Sequence, residues 1–175
     1  MFKIKIVFIF LLSFLFHLNI VFAEVVIKYI DMEIILTQSK VATSIKSQLD
    51  TIHKSNIIKF EKNEKQLTAK EKDIVSKKNV LSKEDFEKQI KKLREEANIY
   101  IANRNKINNE LKNKQIKANQ KMVSLLNPIL AKYSDENSIS IILKKNNMVI
   151  GKTELDITEE ILKIVNRDIK TFKLN

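Results

Sequence analysis

The sequence predicts an α+β fold that is mainly α. A long antiparallel helical hairpin of coiled-coil type projects from a small β-sheet assembly body. Three observations carry this. The 175 residues include one glycine (Gly151) and one proline (Pro128), too few for a loop-rich or all-β chain. Charged residues make up 30% and aromatics 7%, a balance that favours long helices over one large core. Apolar residues recur at helical and heptad spacing through the middle, while β-branched runs stand near the two ends.

The elements follow in order. Residues 1–23 carry Lys3 and Lys5, then an almost unbroken apolar run, then Val21-Phe22-Ala23. That is the pattern of an export signal, with cleavage expected after Ala23. The alternative is a retained anchor, but the run is only just long enough to span and contains Ser13, His17 and Asn19. EVVIKYID (24–31) is rich in β-branched and aromatic residues and reads as a strand. Ile34-Ile35-Leu36 opens a short helical turn. From Ser39 the period changes, and Val41, Ile45, Leu49 and Ile52 mark one helix face. Beyond them the seam thins to one apolar residue per heptad: Phe60, Leu67, Ile74 and Leu81.

The chain is expected to reverse near 79–82. Ser82 is placed to cap a second helix, with Asp85 at the third position and acids crowding the first turn, where the helix dipole favours them. A cleaner seam follows: Phe86, Ile90, Leu93, Ala97, Tyr100, Arg104, Ile107 and Leu111 alternate four and three apart. Arg104 either lays its stem along a packed seam or marks an open point in it. The second helix is expected to bend or break near Pro128. ISIILKKNNMVIGK (139–152) reads as two short strands joined at an Asn turn. LDITEEILKIVN (155–166) closes with a helix whose face is Ile161, Leu162 and Val165, capped by Asp156 or Thr158. The domains are therefore a signal at 1–23, a body at 24–50 and 122–175, and a hairpin arm at 51–121.

Charge divides the same way. Losing Lys3 and Lys5 with the signal lowers the net from +11 to +9. Residues 51–121 hold 19 basic and 10 acidic side chains, so the whole excess sits on the arm. A neutral body thus carries a basic extension.

No enzymatic constellation can be assembled. His53 is the one histidine after residue 23, and there is no cysteine, so a multi-His or multi-Cys metal site and a disulfide framework are both excluded. Glu95-Glu96 and Glu159-Glu160 are sequence neighbours that point apart on a helix. One glycine cannot make a phosphate-cradling loop. The chain is read as no enzyme and as needing no cofactor. Specific nucleic-acid binding is disfavoured, because basic charge alone binds weakly and the basic stretch has few aromatics for stacking.

The order of IKYIDMEIILTQS (27–39), the charged hairpin, NPIL (127–130), ISIILKKNNMVIG (139–151) and LDITEEILKIVN (155–166) resembles the Skp/OmpH family of periplasmic chaperones. The resemblance implies a homotrimer, a sheet body with three tentacles around a cavity, and ATP-independent holding of unfolded outer-membrane proteins in transit through the periplasm. The family's tentacles are usually richer in Ala, Gln and Glu, whereas these are rich in Lys, Asn and Ile, which bears on client range rather than fold. Candidate client-facing residues are Phe60, Leu67, Ile74, Phe86, Ile90 and Tyr100, although as seam residues they could equally serve to hold the arms together. The expected assembly hub is Ile27, Tyr29, Ile139, Ile141 and Val149. Anionic lipid or lipopolysaccharide is an open second class of partner for the basic arms. The competing reading is a structural or tethering coiled coil of the envelope, against which the sheet argues, since a tether has no use for one.

Overall fold

A computed structural model describes residues 25–174. The export signal and its cleavage point after Ala23 lie outside the described residues.

Strand β1 spans Ile27–Ile30 and helix α1 spans Met32–Gln38. Helix α2 runs over Lys40–Ser76, and α3 over Lys83–Glu136. Strand β2 is Ile141–Lys144, and α4 is Thr158–Asp168. Two short 3-10 turns, Lys145–Asn147 and Thr153–Leu155, lie between β2 and α4. At ~1.5 Å per residue, α2 is about 55 Å long and α3 about 80 Å. The two pack antiparallel as the arm, and the surplus length of α3 enters the body.

Local chemistry sets the boundaries. Asp31 caps α1, its Oδ1 accepting from the Glu33 and Ile34 N–H groups at 3.0 and 3.2 Å. Ser39 separates α1 from α2: its extended backbone breaks the helix and its hydroxyl accepts from the Ala42 N–H at 3.2 Å. Ser82 caps α3 through the Asp85 N–H at 3.1 Å, and its own hydroxyl donates to Asp85 Oδ2. Each satisfies a donor that a helix start leaves orphaned.

The core sits in the body and reaches the root of the arm at Ala118. It joins Ile30 of β1, Ile35 of α1, Val41, Ala42 and Ile45 of α2, Ala118, Met122 and Leu126 of α3, and Ile157, Ile161 and Val165 around α4. Ile161 and Val165 are fully enclosed and Leu162 half-buried, so the face expected for the last helix is the one it buries. Along the arm beyond Ile45 and Ala118, Ile74 near the tip is the one buried apolar residue among the described residues.

Two expectations are corrected. First, residues 139–152 do not form a β-hairpin. β2 pairs in parallel with β1, Ile27 opposite Ile141 and Ile30 opposite Lys144. Parallel partners need a long crossover, and the whole arm supplies it. After β2 the chain curls into the turn at Lys145–Asn147, and the second apolar run pairs with nothing among the described residues, leaving Val149 and Ile150 exposed. The free side of β1 is taken by Asp156 and Ile157: Asp156 bridges Tyr29 in parallel and the Ile157 N–H donates to the Tyr29 carbonyl at 3.0 Å.

Second, α3 does not break at Pro128. It continues two turns further, to Glu136. What stops it is Ser138, at φ 52°, in the left-handed region. The Ile139 N–H then reaches back to the Ser134 carbonyl at 2.9 Å and the Ser138 N–H to Asp135 at 3.4 Å. This is a Schellman stop with serine where glycine is usual, and Ile139 supplies its buried apolar contact. A proline removes one helix bond, whereas a left-handed residue redirects the chain.

Candidate functional site

The body presents two surfaces of different character. In a parallel pair, residues opposite one another share a face. Ile30 and Ile142 therefore turn to the core, and Ile27, Tyr29, Ile141 and Leu143 turn away from it. On that outer face Ile27, Ile141 and Leu143 are 41%, 45% and 38% exposed. Tyr29 is buried, because Gly151 lies on its ring: a Cβ at Gly151 would sit 2.9 Å from Tyr29 Cε1. Here the only glycine permits a close approach. Val25, Val149 and Ile150 extend the exposed apolar area. The outer edge of β2 is unpaired among the described residues. Of the five expected hub residues, Ile27, Tyr29 and Ile141 share this face, Ile139 lies under the Schellman turn, and Val149 stands in solvent on an unpaired loop.

A polar lock holds the strands to the last helix. The Asp31 N–H donates to Thr158 Oγ1 at 2.8 Å. Asp156 Oδ1 accepts from the Thr158 N–H at 2.9 Å and from its hydroxyl. Lys145 Nζ stands 3.6 Å from Asp31 Oδ2 and 3.7 Å from Asp156 Oδ2. Thr158 is buried, so its hydroxyl is satisfied as donor and acceptor at once. The Asp-Ile-Thr step was visible in the sequence, but its partners Asp31 and Lys145, more than a hundred and about ten residues away, were not.

The arm brings most of the expected client-facing residues onto its inner seam. Phe60 and Tyr100 meet edge to face, ring centroids 6.4 Å apart. Leu67, Phe86 and Ile90 are half-buried, and Ile74 is buried. Arg104 is on the seam and half in water: its guanidinium lies 5.6 Å over the Phe60 ring and 3.1 Å from Glu64. Glu64 also accepts from the Tyr100 hydroxyl. Burial, then the Glu64 bond, raises the Tyr100 phenol above its ordinary value. Glu64 escaped the sequence reading, although it sits one turn after Phe60. Nearer the tip Lys70 pairs with Glu96, whose carboxyl that bond holds below the ordinary range.

The arm's exposed apolar side chains are different ones. Ile57, Ile58, Val75, Val80, Ile99, Ile101 and Ile116 stand beside the seam or at the tip, Ile57 and Ile58 as neighbours and the others apart. Ile99 and Leu67 share a shallow recess with Asn63, Gln66 and Asn103. The basic excess is concentrated at the arm's root: residues 51–60 and 104–121 hold eight basic side chains against Glu110 alone. Phe60 against Arg104 places these two segments side by side, as a cationic collar next to the neutral body. Among the described residues no group of three or more His, Cys, Asp or Glu could hold a metal ion.

Comparison with known proteins finds a family and several solved structures. A family described as outer membrane protein (OmpH-like) matches residues 26–165. A crystal structure from Caulobacter crescentus CB15, described as a candidate outer membrane chaperone (OmpH-like), superposes with a TM-score of 0.80 over 87% of this chain and 90% of that one. At 18% identity that likeness speaks to the fold. No curated protein matches.

Proposed function

We propose a function on one premise: the chain belongs to the OmpH-like outer membrane protein family, whose pattern covers residues 26–165. In this reading it is an ATP-independent holdase of the periplasm. It assembles as a homotrimer through the sheet body, and holds unfolded outer-membrane proteins between its arms until they reach the outer membrane.

One observation carries the reading: an apolar sheet face with a free strand edge at the base of a long, sparsely buried arm. Ile27, Ile141 and Leu143 beside an unpaired β2 edge form the kind of surface that is covered by another chain, and a second and third copy are the simplest cover. Three arms would then hang from one body and enclose a space. Their exposed isoleucines are dispersed, which suits weak contact with many sequences. The collar would attract acidic segments, with strong dependence on salt. The chemistry needs no nucleotide, because holding requires only many shallow contacts that form and break.

The test uses the chain from residue 24. Light scattering after chromatography should give three copies, and a near-stoichiometric amount should keep a diluted, urea-unfolded β-barrel protein soluble. A monomer, or a trimer that leaves aggregation unchanged, would sink the reading.

A further inference from the structure

The residues after α4 do an unusual thing. They leave the helix at Ile169 and run extended, without secondary structure, across the root of the arm. Gln48 on α2 reads their backbone from both sides: its Nε2 donates to the Phe172 carbonyl at 2.9 Å, and its Oε1 accepts from the Leu174 N–H at 3.0 Å. Lys121 of α3 holds its ammonium 4.1 Å over the Phe172 ring. Phe172 and Leu174 pack on the edge of the core while Lys170, Thr171 and Lys173 stay exposed.

This is how a protein recognises an extended peptide without regard to most of its sequence. A side-chain amide pairs with main-chain groups that every residue has, and one aromatic side chain finds a cation. The occupant, however, is mismatched in charge. Lys121, whose ammonium lies over Phe172, belongs to the cationic collar, and the segment it meets carries Lys170 and Lys173 on its exposed side and no acid. A neutral or acidic segment would fit the same groove without that repulsion.

We infer that the groove at the root of α2 and α3, marked by Gln48 and Lys121, is a binding site for an extended polypeptide segment bearing an aromatic side chain, and that residues 170–174 are its resident, displaceable occupant. The tail is a built-in competitor. It covers the groove when no other chain is present and yields to one that binds better. The part of this that concerns clients rests on the holdase reading; the groove itself does not.

The probe is a fluorescein-labelled peptide of sequence DIKTFKLN, added to the full chain from residue 24 and to its Phe172→Ser/Leu174→Ser variant. The loosened tail should let the peptide bind about tenfold more tightly than to the unchanged chain, because tethering gives the native tail a roughly millimolar effective concentration. Adding Gln48→Leu to that variant should abolish the gain. Equal binding to both chains at equal helicity, or binding indifferent to Gln48→Leu, overturns the inference. A second measurement needs no variant. In the unchanged chain, hydrogen exchange at the Leu174 N–H should rise severalfold when an unfolded β-barrel protein is bound, whereas unchanged protection under saturating client also overturns it. Failure of the aggregation assay with success of the peptide exchange condemns only the holdase reading, and the reverse pattern condemns only the groove.

Discussion

The body and the arm are built from the same residue types and held in different ways. In the body and at the root of the arm eleven buried side chains from five segments interlock, and a threonine buried among two aspartates and a lysine fixes the strands to the last helix. Along the arm, contacts are pairwise and half-wet: one aromatic pair, a glutamate shared by Tyr100 and Arg104, and a lysine on Glu96. Buried area stabilises in proportion to water removed, whereas exposed ion pairs contribute little. A chain designed this way has one region that must keep its shape and another that can open locally at low cost. In the proposed holdase reading that division is useful: the firm region would set geometry and the loose one would accept many shapes.

The comparison breaks most decisively at its firm end. Ile161→Ala removes a fully enclosed side chain and should cost about 2–5 kcal/mol, read by urea denaturation. Thr158→Val keeps the shape but leaves the part-buried Asp31 N–H without its acceptor, and should cost about 1 kcal/mol. Ile141→Asp tests assembly apart from folding. Its side chain is 45% exposed, so helicity should persist while chromatography with light scattering shows the proposed trimer dissociating. Ile139→Asp should dissociate it too, but with a loss of stability, since Ile139 is buried under the Schellman turn. An Ile141→Asp chain that remains trimeric would move the hub elsewhere.

Arm changes should be smaller and local. Tyr100→Ala removes the edge-to-face contact and frees Glu64, and should raise hydrogen exchange in the middle of α2 and α3 while leaving β1 and α4 protected. Equal deprotection of both regions would refute the division drawn above. Acid acts in the same place. Lys70 holds the Glu96 carboxyl below its ordinary value, so their contact contributes above that value and is lost as pH falls through the lowered one. Arm exchange should therefore rise first in acid, and Lys70→Met should flatten the rise. The smallest effect expected is a gain: Ser138→Gly relieves a left-handed residue of its Cβ and should stabilise by about 0.5–1 kcal/mol.

Much of this was legible in the residues. The scarcity of glycine and proline, the 4-3 spacing from Phe86 and the serine at 82 gave a helical arm with its reversal in the right place, because these are local rules with local causes. The last helix's buried face followed from the spacing of Ile161 and Val165. What failed was non-local. Asn146-Asn147 between two apolar runs signals a hairpin, yet a strand's partner is decided by what else competes for its hydrogen bonds. Asp156 and Ile157 occupy one side of β1 and β2 the other. Pro128 carries a strong local signal for a break, but the bonds on either side of it and the packing of Met122 and Leu126 keep α3 continuous until Ser138.

The sequence by itself determined the helical arm, the Ser82 cap, the neutral body and the basic arm, because periodicity, capping and charge act over a few residues, whereas the last helix is capped at Ile157 and not by the Asp156 or Thr158 side chain expected. Only the tertiary structure decided that the strands run parallel, that Glu64 meets Tyr100 and Arg104, and that Gln48 bonds the backbone of Phe172 and Leu174. Each of those depends on segments more than thirty residues apart meeting in space. Which polar group will satisfy another at that range is fixed by the packing of the whole, not by any spacing along the chain.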